Sequence, residues 1–297
     1  MNNLNIKPMK AKSALNRLTK NLPYKWDLNI YRGCMHGCKY CYAIHSHEYL
    51  TSDSFFNTLY YKENIGEVLE KELSRKSWKN ETINLGGVTD SYQPIERKIK
   101  LMPEILKLCI KYRNPINIAT KSSLILRDIE LIEELSKVAY VNIAVSITTV
   151  DEEIRRKIEP HSSPTTERFK VLKELKKINI NKGVLMMPII PILTDNLWNA
   201  EEIFRLSYQS EANYIVPGYL YLRNKTRNYF LNFLKSNFTF IYDDFVKLYL
   251  KGSVNKSRKT EFYDGYKELS KKYPLKSNYI PLPKISKKPE QLSLFQE

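Results

Sequence analysis

The chain has 297 residues, 42% of them hydrophobic and 27% charged, enough for one sizeable core with appendages. Its most apolar stretch, 184–193, is short and broken by Pro188 and Pro191, which excludes a membrane span; residues 1–20 lack the apolar core of a secretory signal, so cytoplasmic residence is expected. Lysine and arginine outnumber aspartate and glutamate 48 to 32, and the formal net charge of +16 favours polyanionic partners, nucleic acid first.

Residues 1–25 carry Lys7, Lys10, Lys12, Arg17, Lys20 and Lys25 and read as a basic arm leading into a first strand at 27–31. Next comes Tyr31-Arg32-Gly33-Cys34-Met35-His36-Gly37-Cys38-Lys39-Tyr40-Cys41-Tyr42-Ala43, which holds three of the four cysteines at the spacing C-x3-C-x2-C. Thiolates crowded this closely suit an iron–sulfur cluster or zinc rather than a disulfide framework. A closed zinc site or an electron-transfer cluster takes four protein ligands, so three leave a metal position to something else. A zinc site completed by His36, His45 or His47 is one way to fill it. A cluster whose open iron binds a small molecule is the other, and His36 then faces solvent or the loop backbone.

Downstream the pattern turns repetitive. Apolar spacing predicts helices at 65–73, 102–112, 131–138, 165–178 and 199–208, and strands at 82–88, 116–119, 141–148, 183–189 and 214–222. With 27–31 this makes six strands alternating with helices, the signature of a parallel βα array. Loops after such strands share one rim. Cys34, Gly86-Gly87, Lys121, Ser146 with Thr148, and Pro188 each follow or end a strand, so five segments converge on one mouth.

The cysteine spacing, with the aromatic Tyr40 before the third cysteine, resembles the signature of the radical S-adenosylmethionine superfamily. Asn29-Ile30-Tyr31-Arg32-Gly33-Cys34, His47-Glu48-Tyr49, the run from Gly86 to Glu96, Thr120-Lys121-Ser122, Ser146-Ile147-Thr148-Thr149 and Glu159-Pro160 resemble its spore-photoproduct-lyase-like branch, the DNA repair photolyases, over about 25–225. The resemblance implies an α/β fold, a partial (β/α)6 TIM-type barrel spanning 26–225. It also implies a [4Fe–4S] cluster on Cys34, Cys38 and Cys41, S-adenosylmethionine (AdoMet) on the open iron, and a flavodoxin- or ferredoxin-like electron donor.

Within that resemblance the cofactor-binding set is Tyr40 for the adenine, Gly86 and Gly87 for the amino group, Lys121 for the carboxylate, and Ser146 with Thr148 for ribose or carboxylate. Tyr40 and Tyr42 flank the third cysteine as in the lyase, where tyrosines relay a hydrogen atom. Asp90 and Tyr92, with Gln93 and Glu96, form the densest polar group outside the cysteine loop and read as substrate contacts or hydrogen bonds to the radical, which makes Asp90 and Tyr92 catalytic candidates beside Tyr40 and Tyr42; for Asp90 a cap is the other reading. Arg168 reads as a solvated helix face, with reach to the AdoMet carboxylate as the other reading. The lyases' hydrogen-donating cysteine has no counterpart, since Cys109 falls on an amphipathic helix as a core residue.

Past Arg223 the alternation stops. Residues 228–238 and 241–250 read as aromatic-rich helices capping the barrel, part of a helical basic extension at 226–280. Between 251 and 288 eleven basic residues face three acidic ones, and Tyr263, Tyr266, Tyr273 and Tyr279 lie among them, a composition suited to stacking on bases. The linker and tail, 281–297, end in Gln291-Leu292-Ser293-Leu294-Phe295. This pentapeptide resembles the bacterial sliding-clamp motif, with Gln291, Leu292, Leu294 and Phe295 as anchors. The expected function is radical chemistry on DNA in repair. Rivals are radical modification of a peptide, RNA or small molecule, and a non-catalytic zinc-bearing DNA-binding adaptor.

Overall fold

The structure, a computed structural model, describes residues 5–18, 24–47, 55, 58–249 and 252–277, without the side chains of 45–47 and 224. The clamp-like residues Gln291, Leu292, Leu294 and Phe295 and the rest of 281–297 lie outside the described residues, as does Tyr279.

The chain opens with β1 (Asn5–Met9) and β2 (Leu15–Arg17), then β3 (Trp26–Leu28) and β4 (Tyr31–Arg32) around the start of the cysteine loop. After β5 (Thr58–Lys62) and α1 (Ile65–Leu73) come β6 (Ile83–Leu85), α2 (Glu96–Ile99), α3 (Leu101–Lys111), β7 (Ile116–Thr120), α4 (Ile129–Val138) and β8 (Val141–Ser146). The second half runs α5 (Glu152–Ile158), α6 (Thr165–Leu175), β9 (Asn181–Ile189), α7 (Leu197–Gln209) and β10 (Tyr214–Tyr219). Three helices follow: α8 (Asn224–Asn237), α9 (Tyr242–Leu248) and α10 (Lys256–Lys272).

The main sheet has the order β10-β9-β8-β7-β6-β3-β2. All neighbours are parallel except β2, which runs antiparallel to β3. Six parallel strands in chain order, with helices in the connections, form the partial (β/α)6 barrel. Among the described residues no helix is long and apolar enough to cross a membrane.

Each central strand carries two kinds of residue, because successive side chains point to opposite faces. Ile83, Leu85, Ile116, Ile118, Val141, Ile143, Val145, Val184 and Met186 face the helices and join the main core. The opposite face lines the barrel interior, and its lowest layer is polar. Asp27, Asn84, Asn117, Asn142 and Asn181 are register partners on five adjacent strands. Asn181 Nδ2 donates to Asn142 Oδ1 at 2.7 Å, Asn142 donates to Asn117, Asn117 to Asn84, and Asn84 Nδ2 to Asp27 Oδ1 at 2.7 Å. A carboxylate only accepts, so Asp27 fixes the direction of every link.

Above this ladder the partners Ala119, Ala144 and Gly183 leave room that the Tyr214 ring enters; its hydroxyl donates to Asn142 Oδ1 at 3.0 Å. A side chain at Gly183 would overlap that ring. Small residues on one wall and a ring on the other therefore shape the interior below the mouth.

The N-terminal segment, read as a basic arm, contributes strands to both sheets. β1 pairs parallel with β5, which also pairs with β4 in a second sheet, and β2 extends the main sheet. Ala14 and Leu15 are buried, and their amides donate to the Glu72 carboxylate at 3.2 and 2.9 Å. Sheet edges offer unpaired backbone groups to any chain that reaches them, whatever its side-chain charge.

The extension does two separate jobs. α8 and α9 form a second apolar cluster, in which Phe230, Leu234, Phe238, Phe245 and Tyr249 pack with Cys38, Tyr40 and Ile158. α10 returns to the main core through Phe262 and Tyr266, and the chain beyond it reaches the β10 edge, where Lys276 bridges Tyr214.

Candidate active site

The cysteine loop is held by its backbone. Gln93, fully buried, accepts from Met35 N at 2.8 Å and donates to Gly33 O at 3.2 Å, clamping the loop on both sides of Cys34. Lys39 N donates to Ile158 O at 2.8 Å and His161 N to His36 O at 3.2 Å. At Gly37 the backbone has φ +67°, where an ordinary side chain is strained.

Cys38 is buried and Cys34 and Cys41 half-buried, all free thiols. Burial first, then neighbouring negative groups, pushes each up to about 12, so ligand binding must displace their protons. Among the described residues no three histidine, cysteine or carboxylate side chains converge on a single-ion position. Three thiols on one loop, each able to take a different iron, are a donor set that fits a [4Fe–4S] group. His36 is no solvent-facing side chain: it is 2% exposed, with Nδ1 3.4 Å from Asp90 Oδ2. Burial, partly opposed by Asp90, lowers it to about 4, so it stands neutral.

Asp90 is a connector. Its Oδ1 accepts from Tyr92 N and Thr120 Oγ1, each at 2.9 Å, and its Oδ2 from Lys121 N at 2.7 Å. These bonds tie the end of β6 to the end of β7 and to His36. The expectation of a catalytic Asp90 gives way to a positioning one, since its oxygens are already engaged.

Tyr92 is not at the mouth. It is fully buried in the main core with its hydroxyl turned to Asp128, because the segment after Asp90 folds inward under α3. Glu96 is likewise structural: it accepts from Leu101 N and Met102 N at 3.0 Å each and pairs with Arg127 at 2.7 Å, anchoring the start of α3.

The strongest charge arrangement was not legible as a site. Glu159 and Arg168 form an ion pair with no exposed surface. Arg168 also donates from Nη1 to Ser146 O and from Nε to Ser163 O, both at 2.8 Å, so the expected solvated helix face is a buried brace. Glu159 accepts from Tyr40 Oη and, at 3.0 Å, from Thr148 Oγ1. Burial works to raise Glu159, but the Arg168 and Lys121 cations and the Tyr40 hydroxyl hold it at about 2. Lys121 lies near Cys38 and Glu159, which together outweigh its burial and raise it; its Nζ sits 6.0 Å from the Tyr40 ring centre.

Gly86 and Gly87 end β6. Gly86 has φ +95°, and a side chain there would run into the Ala119 carbonyl; Gly87 abuts the Asp27 carboxylate. Tyr42 is 65% exposed and donates its hydroxyl to Gly87 O. Tyr40, Tyr42, Gly87, Lys121, Ser146 and Thr148 thus stand at the ends of adjacent strands around the cysteine loop. The sequence reading gave Glu159 and Asp27 no role, and took Gln93 for a substrate contact where it clamps the cysteine loop. Glu159 was visible as Glu-Pro, and Asp27 as the head of the apolar-Asn-apolar triplets 83–85, 116–118 and 141–143.

Among the described residues, the tyrosines expected to stack on bases, Tyr263, Tyr266 and Tyr273, are used internally. Tyr266 Oη donates to Ile215 O at 3.0 Å, Tyr263 packs edge-on to Tyr219, and Tyr273 stacks on Phe204. They follow the apolar face of α10. Many of its charges are also paired, Arg258 with Asp195 at 2.7 Å, Lys267 with Asp264 and Lys272 with Glu201.

The Radical SAM superfamily profile matches residues 28–204. The chain is 31% identical over 294 residues to the uncharacterized protein Rv2578c of Mycobacterium tuberculosis, covering 96% of this chain and 86% of that one. It is 33% identical over 193 residues to the uncharacterized protein MJ0683 of Methanocaldococcus jannaschii, covering 65% and 70%. Among solved structures it is similar to spore photoproduct lyase complexed with dinucleoside spore photoproduct (TM-score 0.62, 12% identity, 90% of this chain and 79% of that chain). It is equally similar to a variant of that lyase with bound AdoMet (TM-score 0.62, 10% identity, 90% and 78%).

Proposed function

We propose that this chain, which belongs to the radical S-adenosylmethionine superfamily, turns that chemistry on damaged nucleic acid, with DNA repair as its role. The superfamily's [4Fe–4S] cluster and AdoMet are its cofactors, and an electron donor is required. When bound, they supply a strongly hydrogen-abstracting 5′-deoxyadenosyl group after one-electron reduction.

The protein's own part is placement. Cys34, Cys38 and Cys41 hold the cluster. Lys121, whose Nζ has no carboxylate within 4.0 Å among the described residues, takes the AdoMet carboxylate, and Ser146 and Thr148 meet the ribose side. Tyr40 offers its face to the adenine while its hydroxyl stays locked on Glu159. Tyr42 keeps its ring open to solvent at Gly87, which makes it the tyrosine able to return a hydrogen atom in a chain that lacks the lyases' cysteine.

One observation carries the nucleic-acid reading: the Tyr40-Cys41-Tyr42 loop sits at the mouth of a barrel that superposes on a DNA-lesion lyase over 90% of this chain. The formal net charge of +16 supports it. The tail at 291–297 is read as a sliding-clamp anchor, and its deletion should abolish clamp capture in a pull-down. The deciding test is anaerobic reconstitution, reduction with AdoMet, and assay of 5′-deoxyadenosine, followed by ultraviolet-irradiated DNA as substrate. Lesion reversal supports the reading; 5′-deoxyadenosine formation that no damaged DNA stimulates would remove DNA repair.

A further inference from the structure

The reaction needs one electron per turnover delivered to a cluster whose loop is walled by the barrel on one side and by α8 and α9 on the other. At Ile158 and Glu159 the chain turns inward, both residues fully buried. Arg156 and Lys157, immediately before them in the chain, stay exposed. Ile158 O receives the Lys39 amide at 2.8 Å, so these cations flank the outer surface of the segment between Cys38 and Tyr40.

Lys157 Nζ lies 5.0 Å over the Phe238 ring, and Phe238 packs edge-on to Phe240 at 6.4 Å. Phe238, Ile158 and Cys38 belong to one packed cluster. Phe240 itself is 82% exposed, the most exposed of the large hydrophobic residues among those described. Lys235, exposed one turn away, has its backbone oxygen bonded by Thr239 Oγ1 at 2.9 Å. The acidic residues here are largely committed: Glu152 pairs with Arg155 at 2.7 Å and Asp244 with Lys247 at 3.1 Å, leaving Glu153 and Asp243 against Lys39, Arg156, Lys157 and Lys235.

We propose that this patch, exposed Phe240 packed on Phe238 under the Lys157 cation, with Arg156 and Lys235 exposed on the adjoining segments, docks the acidic one-electron carrier protein that reduces the iron–sulfur cluster. The inference rests on the radical reading above. An exposed aromatic among cations fits a protein surface with carboxylates around an apolar centre; a single strand stacking a base on the ring is the other occupant, which the test separates. Phe238 and Cys38 belong to the same apolar cluster, so a carrier seated here approaches the cysteine loop without entering the mouth. In the transfer the carrier loses one electron and the cluster gains it; no proton or group moves.

The test compares two reductants on the reconstituted enzyme with AdoMet: dithionite, which needs no docking, and an acidic flavodoxin kept reduced by its reductase. With dithionite, Arg156→Glu/Lys157→Glu and Phe240→Ser should form 5′-deoxyadenosine at the parent rate. With flavodoxin the double charge reversal should lose about ten-fold and Phe240→Ser a few-fold, and the parent rate should fall as salt rises. Unchanged flavodoxin-driven rates overturn the proposal. So does a variant that keeps its flavodoxin rate and loses DNA binding, which would make the patch a nucleic-acid surface. No product from the parent with dithionite would overturn the radical reading itself, and the docking site with it.

Discussion

The two ends of the barrel interior solve the burial of polar groups differently. At the mouth, Glu159, Arg168, Asp90 and Lys121 bring charged groups into a space walled by protein: Glu159 and Arg168 pair, Asp90 accepts several hydrogen bonds, and Lys121 Nζ lies in the field of Glu159 without an ion pair among the described residues. At the floor, four asparagines and one aspartate run across five strands with a single charge among them. Neutral amides suffice where only architecture is at stake. Charges, which cost far more to desolvate, appear where a charged ligand must be received.

The largest break in this contrast comes from Cys38→Ala. It leaves the floor intact and should drop 5′-deoxyadenosine formation to background, with loss of the iron–sulfur absorption after reconstitution. Next comes the brace. Arg168→Met strands Glu159 as a buried charge and should cost about 3–5 kcal/mol in urea unfolding of the apoprotein.

A broken rung at the floor should cost less. Asn117→Ala leaves Asn84 Oδ1 and Asn142 Nδ2 without partners, about 2–4 kcal/mol by the same measurement, while iron uptake per folded molecule stays at the parent level. A Asn117→Ala cost above that of Arg168→Met would reverse the comparison.

The two carboxylates should also answer acid in opposite directions. Glu159 is lowered from 4.5 to about 2, so its contribution is complete above about pH 4.5 and lost as pH falls towards 2. Asp27 is raised, by burial chiefly, against the lowering influence of Asn84, Asn29 and Lys62. Its ionised form weighs against folding at neutral pH, and protonation relieves that weight. Between about pH 6 and pH 3 the deficit of Glu159→Gln should therefore narrow while that of Asp27→Asn widens. Parallel changes in urea midpoints would contradict the assignment. The smallest expected effect is on stability in Tyr42→Phe, within about 0.5 kcal/mol because the ring is exposed, although its turnover on substrate should fall.

Much of this was legible because it is local. Cys34, Cys38 and Cys41 announce themselves by spacing, and the βα alternation by apolar runs between Ile83 and Tyr219. Ile65, Leu69 and Leu73 fall one turn apart and bury as their periodicity requires. What stayed hidden depends on contacts far apart in the chain. Arg168 follows Glu159 by nine positions, and only the turn at Ser162 and Pro164 brings the two side chains together. Tyr92 sits in a polar run yet packs as a core residue. Tyr263 and Tyr266 stand among lysines, but helical spacing turns them onto the barrel. Composition could not distinguish that face from a nucleic-acid surface.

The floor ladder has a consequence for how the chain is made. Its rungs, Asp27, Asn84, Asn117, Asn142 and Asn181, occur in the same order along the sequence as across the sheet. During synthesis from the N-terminus, each new strand meets an edge whose acceptor oxygen is already waiting, and the first carboxylate to emerge sets the polarity for all that follow. A strand arriving out of turn would present an amide with no partner, so the ladder also proofreads the order of assembly.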